Sequence, residues 1–371
     1  MRPKANLVFN KLEELAPLAL AESWDNSGLQ IGSRENVVEG VLVTLDVDEQ
    51  AVDMALEVGA NLIVSHHPLL FQGVKVIDYE DVKGRLIKRL IAHDLNVYSA
   101  HTNLDLAPQG LSEFLAHKLG LGDIEPLGTV KSQHLTKLVV FVPESHLESV
   151  RQAINDSGAG FLGNYRDCSF RTPGVGTFRP LEGSQPYLGS VGIMEEVAEF
   201  RLEVIVAGQV LDRVIRAMIE AHPYEEVAYD LIPLNNSGQS YSYGRQGELP
   251  CEMAVEDLAE KIKTALGIDH VAVSGGNIGK VKRVGLVPGS GASMIRMAGQ
   301  AGCQALITSD VKYHEAREAM ERGLAIIDPG HDGLELAVVD LLSAHLKEVG
   351  NAENWDVPVY GLKVKPIWRK T

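Results

Sequence analysis

The sequence predicts an α/β protein: a duplicated α/β outer domain with a mixed sheet, interrupted by an inserted ferredoxin-like α/β domain. Three observations carry this. Residues 41–101 alternate short β-branched runs with helix-like patterns, and the same rhythm returns from about 283. Between them, about 135–235 holds two β-α-β passages of a different kind. Strands alternating with helices at these lengths build βα units, and paired β-α-β passages within ~100 residues build a ferredoxin-like module.

In chain order, "VLVTLD" reads as a strand, "DEQAVDMALEVGA" as a helix and "NLIVS" as a strand. A helix follows around 82–93, then the strand "NVYSA". In the middle, "LTKLVVFVP" is a strand, followed by a helix with Leu147, Val150 and Ile154 at helical spacing. The strand "LEVIVA" leads to a helix with Leu211, Val214, Ile215 and Met218 on one face, and "EEVAYDLIPL" closes the module as a strand. Polar "NNSGQSYSYGRQG" (235–247) reads as its exit linker. The last third alternates "RVGLVPG", "ASMIRMAGQAG", "ALITSD", "HEAREAMERG" and "LAIIDPG", with a final helix from about 333. Domain boundaries follow: 1–127 and 246–371 form the outer domain, and 128–245 the insert.

The two outer segments align with each other. "GANLIVSHH" (59–67) matches "GCQALITSD" (302–310), and "SAHTNLD" (99–105) matches "PGHDGLE" (329–335). Both members of the second pair read His-x-x-Leu-acid directly after a strand. A diverged duplication accounts for this and sets two half-sites face to face.

Composition narrows the function. A net charge of −16 opposes sequence-independent nucleic-acid binding, which needs clustered Lys and Arg. Three widely separated cysteines contain no CxxC pair, which argues against a disulfide framework and a cysteine zinc site and fits a reducing cytoplasm. No run approaches the ~20 apolar residues of a membrane helix.

Chemistry-bearing residues gather at four strand ends: His66 and His67; His101 and Asp105; Asp310 with His314; His331 and Glu335. Ligands bind at the carboxyl ends of strands in open α/β sheets, because the loops there converge. Imidazole and carboxylate suit zinc, iron or manganese. His331 and Glu335 lie four apart, near one another around a first helical turn. The helix that follows is apolar almost all round, which buries Glu335, and a metal would satisfy a buried carboxylate. Each residue also has a plainer reading. His-His can be a solvated loop, Asp105 a turn or cap before Pro108, Glu335 a partner of a helix dipole, and Asp310 an N-cap beside an ordinary surface His314. Convergence of histidines and acids at four strand ends favours metal. Five or six ligands exceed a mononuclear catalytic zinc set, and a bridging carboxylate, best supplied by Glu335, allows two ions. "VPGSGAS" (287–293), between strand and helix, is either a phosphate cradle or a plain tight turn. "HPYEE" (222–226) reads as a turn or packing element.

Five ordered motifs, "WDNSGLQIG", "SHHPLLF", "AHTNLD", "TSDVKYHEA" and "GHDGLE", resemble the family of GTP cyclohydrolase 1 type 2 homologues, also called NGG1-interacting-factor-3-like proteins. The likeness spans the chain. In the insert, "GNYRDCSF", "GVGTFRP" and "AHPYEEVAYDL" resemble the PII/CutA-like domain of the long bacterial members. The resemblance implies two divalent ions per subunit, zinc, iron or manganese. His66 and His67 would each bind an ion, joined by Asp105, His331 and a bridging Glu335. His101, which the internal repeat would make a ligand, is placed by the resemblance beside the metals as a proton-transfer candidate, with His314 in a similar role. A ring-shaped homohexamer is implied, its metal sites facing an internal cavity. The expected function is a dinuclear metal-dependent hydrolase acting on a nucleotide or small phosphorylated substrate. The alternative is a non-catalytic metal-binding or metal-sensing assembly.

Overall fold

The computed structural model describes residues 1–236, 238–275, 279–364 and 367. Met1–Val130 together with the chain from Tyr241 onward make one compact unit, and Lys131–Ser240 make a second.

The first unit carries two sheets where a single mixed sheet was expected. In the five-stranded sheet the order is Gly28–Ile31, Asn96–Ser99, Leu62–Ser65, Val41–Thr44, Val359–Leu362. All neighbours are parallel except the antiparallel edge strand Gly28–Ile31. The six-stranded sheet runs Ala272–Ser274, Ala325–Asp328, Ala305–Ser309, Lys280–Ser290, Arg245–Ala254, Gly122–Pro126. Its central three strands are parallel and its outer strands antiparallel. The reason for two sheets lies in their burial. Every residue of Val41–Thr44, Leu62–Ser65, Asn96–Ser99 and Ala305–Ser309 is buried. A parallel core buried on both faces needs cover on each side. One apolar cluster joins Val43, Val64 and Tyr98 with Leu286, Ile307 and Ile327, while separate clusters around Ile63 and Leu306 cover the remaining faces.

Local signals explain the flanking helices. Asp48 caps Glu49–Glu57 by accepting from the Ala51 N–H at 2.8 Å, and Asp81 caps Val82–Ala92 through the Lys83 N–H. The final helical stretch begins at His331 rather than near 333, as His331–Glu335 followed by Ala337–Ala352.

In the second unit, strands Leu135–Pro143, Ser169–Phe178, Glu195–Ala207 and Tyr229–Leu234 alternate with helices Leu147–Asp156 and Leu211–Ala221 in the order β-α-β-β-α-β. In space the fourth strand lies beside the first, then the third and the second, all antiparallel. This is the ferredoxin-like topology. Leu147, Val150, Ile154, Val214 and Met218 pack on Leu138, Val140, Leu202 and Val204. The strand Ser169–Phe178 went unread in the sequence. It is an almost wholly exposed edge containing Pro173, Gly174 and Gly176, so it lacks an alternating apolar pattern.

The expected exit linker, 235–247, ends earlier than its composition suggests; its Ser237 lies outside the described residues. Arg245 opens the strand next to the edge of the six-stranded sheet and is buried. Its guanidinium donates to Glu113 Oε2 at 2.7 Å and to the carbonyls of Ala107, Pro108, Ser242 and Gly244 at 2.9–3.1 Å. A buried charge is tolerable only with such a full set of acceptors. Among the described residues, no helix is long and apolar enough to cross a membrane.

Arg245→Met keeps the volume and removes these bonds. It should lower unfolding stability by about 2–3 kcal/mol, read as a fall in the urea midpoint. An unchanged midpoint would show that the bonds contribute nothing net.

Candidate metal centre

Six parallel strand ends supply this site. His66 and His67 follow Leu62–Ser65 directly, and their backbone N–H groups still bond to Thr44 and Leu45 of the neighbouring strand. Ser65 Oγ then donates to the His67 carbonyl at 2.8 Å, turning the chain. Beyond the pleat the two rings no longer point to opposite faces; their centroids lie 5.3 Å apart. His101 stands 5.3 Å from His66 and 5.8 Å from His67. His331, from the other sheet, stands 5.5 Å from His67.

One arrangement repeats at all four histidines. Nδ1 of His66 lies 2.7 Å from the Ala100 carbonyl oxygen, which can only accept, so Nδ1 carries the proton. Nδ1 of His67 bonds Asp46 at 2.8 Å, Nδ1 of His101 bonds Asp25 at 2.8 Å, and Nδ1 of His331 bonds Asp310 at 2.7 Å. Each outer acceptor holds the ring by one nitrogen and leaves Nε2 as its free ligand position. Glu335 is 5% exposed, and its Oε2 lies 2.9 Å from His67 Nε2 and 2.8 Å from His331 Nε2.

On the other side, His66 Nε2 faces Asp105 Oδ1 at 3.7 Å. Both atoms are shielded from solvent and neither has a hydrogen-bond partner among the described residues. With Nδ1 protonated, His66 presents a lone pair to a carboxylate oxygen. At 3.7 Å the two atoms are too far apart to hydrogen-bond to each other; buried polar atoms without partners are costly, and a cation between them would satisfy both. The donor set therefore fits a metal. Ligand atoms of His66, His67 and His101 lie within 4.8 Å of one another, as do those of His67, His331 and Glu335.

Protonation in the metal-free protein follows from these surroundings. Burial pushes His66 down to about 4. Burial alone would also lower His67, but its bonds to Asp46 and Glu335 outweigh that and raise it to about 10. The bond to Glu335 raises His331 to about 9. Burial, then the charge of Glu335, pushes the Asp105 carboxyl well above its usual range. Glu335 would be raised by burial, yet the bonds to His331 and His67 hold it well below.

Of the expected residues, His66, His67, His101, Asp105, His331 and Glu335 come together. His314 does not join them. It is exposed at the start of helix Tyr313–Glu321, and its recorded ring contact is with Tyr313. Asp310, expected to act with His314, instead anchors His331 from a left-handed backbone position (φ 58°). Asp25 and Asp46 were missed as anchors. Asp46 had a signal, an acid just past a strand end like Asp310, whereas Asp25 sits in a loop without periodicity. The Gly-rich turn serves Glu335. Gly289 has φ 61°, and a Cβ there would collide with Oε1 of Glu335. The Gly291 N–H is taken by Thr308 Oγ1 at 3.0 Å. His222 of "HPYEE" is buried and packs as expected, its Nε2 donating to the Phe141 carbonyl at 3.0 Å.

Two outcomes follow. Metal can bind only after His67 and His331 lose protons, since both are held protonated above neutral pH, and burial makes Asp105 a further source of a proton. Loading at pH 7 should release about two to three protons per chain, with affinity rising toward pH 9–10. Calorimetry in buffers of differing ionisation heat reads this, and release near zero would refute the ligand set. Gly289→Ala should displace Glu335 and cut metal affinity roughly 10–100-fold, while Gly299→Ala, with open space at its Cβ, should not. Elemental analysis after dialysis distinguishes the two variants.

A model of the family Duf34/NIF3 (NGG1p interacting factor 3) matches residues 3–366. A Halalkalibacterium halodurans protein named GTP cyclohydrolase 1 type 2 homolog is 41% identical over 325 residues, 88% of this chain and 87% of its own. A Bacillus subtilis protein of the same name is 40% identical over 324 residues, 87% of each. The crystal structure of a Bacillus cereus protein related to NIF3 matches over 100% of both chains, with a TM-score of 0.90 and 38% identity. By the extent of the family match and the identity to these relatives, the chain belongs to the Duf34/NIF3 family.

Proposed function

We propose that the protein is a metal-dependent hydrolase whose site holds two divalent ions, zinc, iron or manganese. The observation that carries this is the pair of solvent-shielded acceptors, His66 Nε2 and Asp105 Oδ1, set beside a second group in which His67 and His331 share Glu335. In this reading His66 and Asp105 would hold one ion, His67 and His331 the other, and Glu335 would be shared by both. Such ions would supply Lewis-acid polarisation and lower the pKa of water.

The chain's own groups do the rest. Asp46 and Asp310 keep the proton on Nδ1 of His67 and His331, so Nε2 stays available. Asp25 does the same for His101, and Asp25 is itself held well below the usual carboxylate range: burial opposes this, but bonds from His101, Thr102 and Ser27 prevail. His101, held as an Nδ1–H donor to a fixed carboxylate, can take a proton at Nε2 and return it, the office of a general acid–base group. The proposal gives no role to the exposed His314.

The substrate proposed is a nucleotide or other small phosphorylated molecule, in keeping with the relatives' name. A homohexamer, descent of the two parallel sheets from one duplicated unit, and a PII/CutA-like regulatory role for Lys131–Ser240 complete the reading.

The test is metal content by elemental analysis on anaerobically purified protein, beside Glu335→Ala. The expected result is two ions per wild-type chain, with at least one lost in the variant. Trace metal in both, even after reconstitution with zinc, iron and manganese, ends the hydrolase reading.

A further inference from the structure

Two large aromatic side chains stand at the rim of the histidine cluster with their surfaces open. Trp24 is 57% exposed and Phe71 is 45% exposed. Their ring centroids lie 5.9 Å apart with planes tilted 60°. Each is also 6.3 Å from the His101 ring, nearly perpendicular to it at 76° and 78°. Three ring planes thus make a corner, and the innermost wall is the proposed proton-transfer histidine.

The corner is braced from behind. Trp24 precedes Asp25, whose carboxylate accepts hydrogen bonds from His101 Nδ1–H and the Thr102 N–H. Phe71 follows Leu70, whose carbonyl accepts from Asn26 Nδ2 at 2.8 Å and whose N–H donates to Gln30 Oε1 at 3.1 Å. Asn26 Nδ2 also reaches Gln30 Oε1 at 3.2 Å. The residue next to each aromatic is therefore fixed, and both loops are tied to each other and to the site. A backbone held in place on both loops reduces the entropy lost when a ligand meets the exposed ring faces.

We propose that Trp24 and Phe71 are the ring-binding wall of this site and select substrates carrying a planar, π-conjugated ring such as a nucleobase. The inference rests on the hydrolase reading above. A planar ring has a face to lay on one wall and edges to direct at the others, the offset and edge-to-face contacts that aromatic systems favour. A ring seated there lies against His101, with the phosphosugar of its molecule free to reach the proposed ions beyond.

The experiment is calorimetric titration of the metal-loaded full chain with GMP, CMP and ribose 5-phosphate, the last sharing the phosphosugar but lacking a ring. At least one nucleotide should bind roughly tenfold or more tightly than ribose 5-phosphate. Trp24→Ala and Phe71→Ala should each erode that advantage, leaving ribose 5-phosphate affinity and metal content unchanged, and Trp24→Phe should retain most of it. Equal affinity for all three probes overturns the proposal, as does an advantage that survives both alanine variants. Phe71 adjoins exposed Val74, Val76, Ile77 and Tyr79, so sedimentation is run on the same samples. A change of oligomeric state with unaltered nucleotide preference means the aromatics serve a second copy of the chain, and also overturns it. Failure of the metal reading is separate: it shows as absent metal in the wild type before any titration.

Discussion

Four imidazoles crowd into one volume here, and they can do so because each is gripped from outside through Nδ1. A carbonyl oxygen holds His66, and the carboxylates of Asp46, Asp25 and Asp310 hold His67, His101 and His331. An unanchored imidazole would rotate, swap tautomers or find a hydrogen bond among its neighbours. Anchored rings keep Nε2 turned inward, where the inner acceptors Asp105 and Glu335 stand. All four rings, and every anchor but Asp25, come from the ends of parallel strands, so the regularity of two small sheets becomes the precision of the site. The cost is an inner cluster poorly satisfied without a cation, as the isolated His66 and Asp105 atoms record.

The distribution of charge across the cluster is uneven in a telling way. Glu335 is ionised between two imidazoliums, while burial raises the Asp105 carboxyl and lowers the His66 imidazole, disfavouring charge on both. Nearly equivalent ligand types therefore start from opposite protonation states, set by exposure and by which neighbour carries charge.

Much of this was legible in the sequence, for reasons that can be named. Short apolar runs ending in His, Asp or Ser marked strand ends, and strand ends in α/β folds are where side chains converge; hence His66, His67, His101, Asp105, His331 and Glu335 were all found. The insert's core was legible because Val150, Ile154, Val214 and Met218 keep helical spacing. What stayed hidden had no period to reveal it. Ser169–Phe178 is an exposed edge strand with no buried face, and Arg245 looks like a linker residue until its five acceptors are seen in space. Asp25 anchors His101 across 76 positions of sequence. Proximity in sequence misled once: Asp310 sits near His314 in the chain but serves His331, because its left-handed backbone turns the carboxylate across to the neighbouring strand end.

The pairing of His67 with Glu335 spans 268 positions, with Lys131–Ser240 spelled out between them. During synthesis at about 5–20 residues per second, the leading half of the site waits on the order of a quarter of a minute to a minute for its trailing half. Asp46, His66, His67, His101 and Asp105 leave the ribosome early, from strands that already pair with one another, whereas Glu335 and His331 arrive only near the end. Completion of the histidine–carboxylate cluster is thus a late event in the life of each nascent chain, and a chain broken or stalled within the insert carries only its leading half.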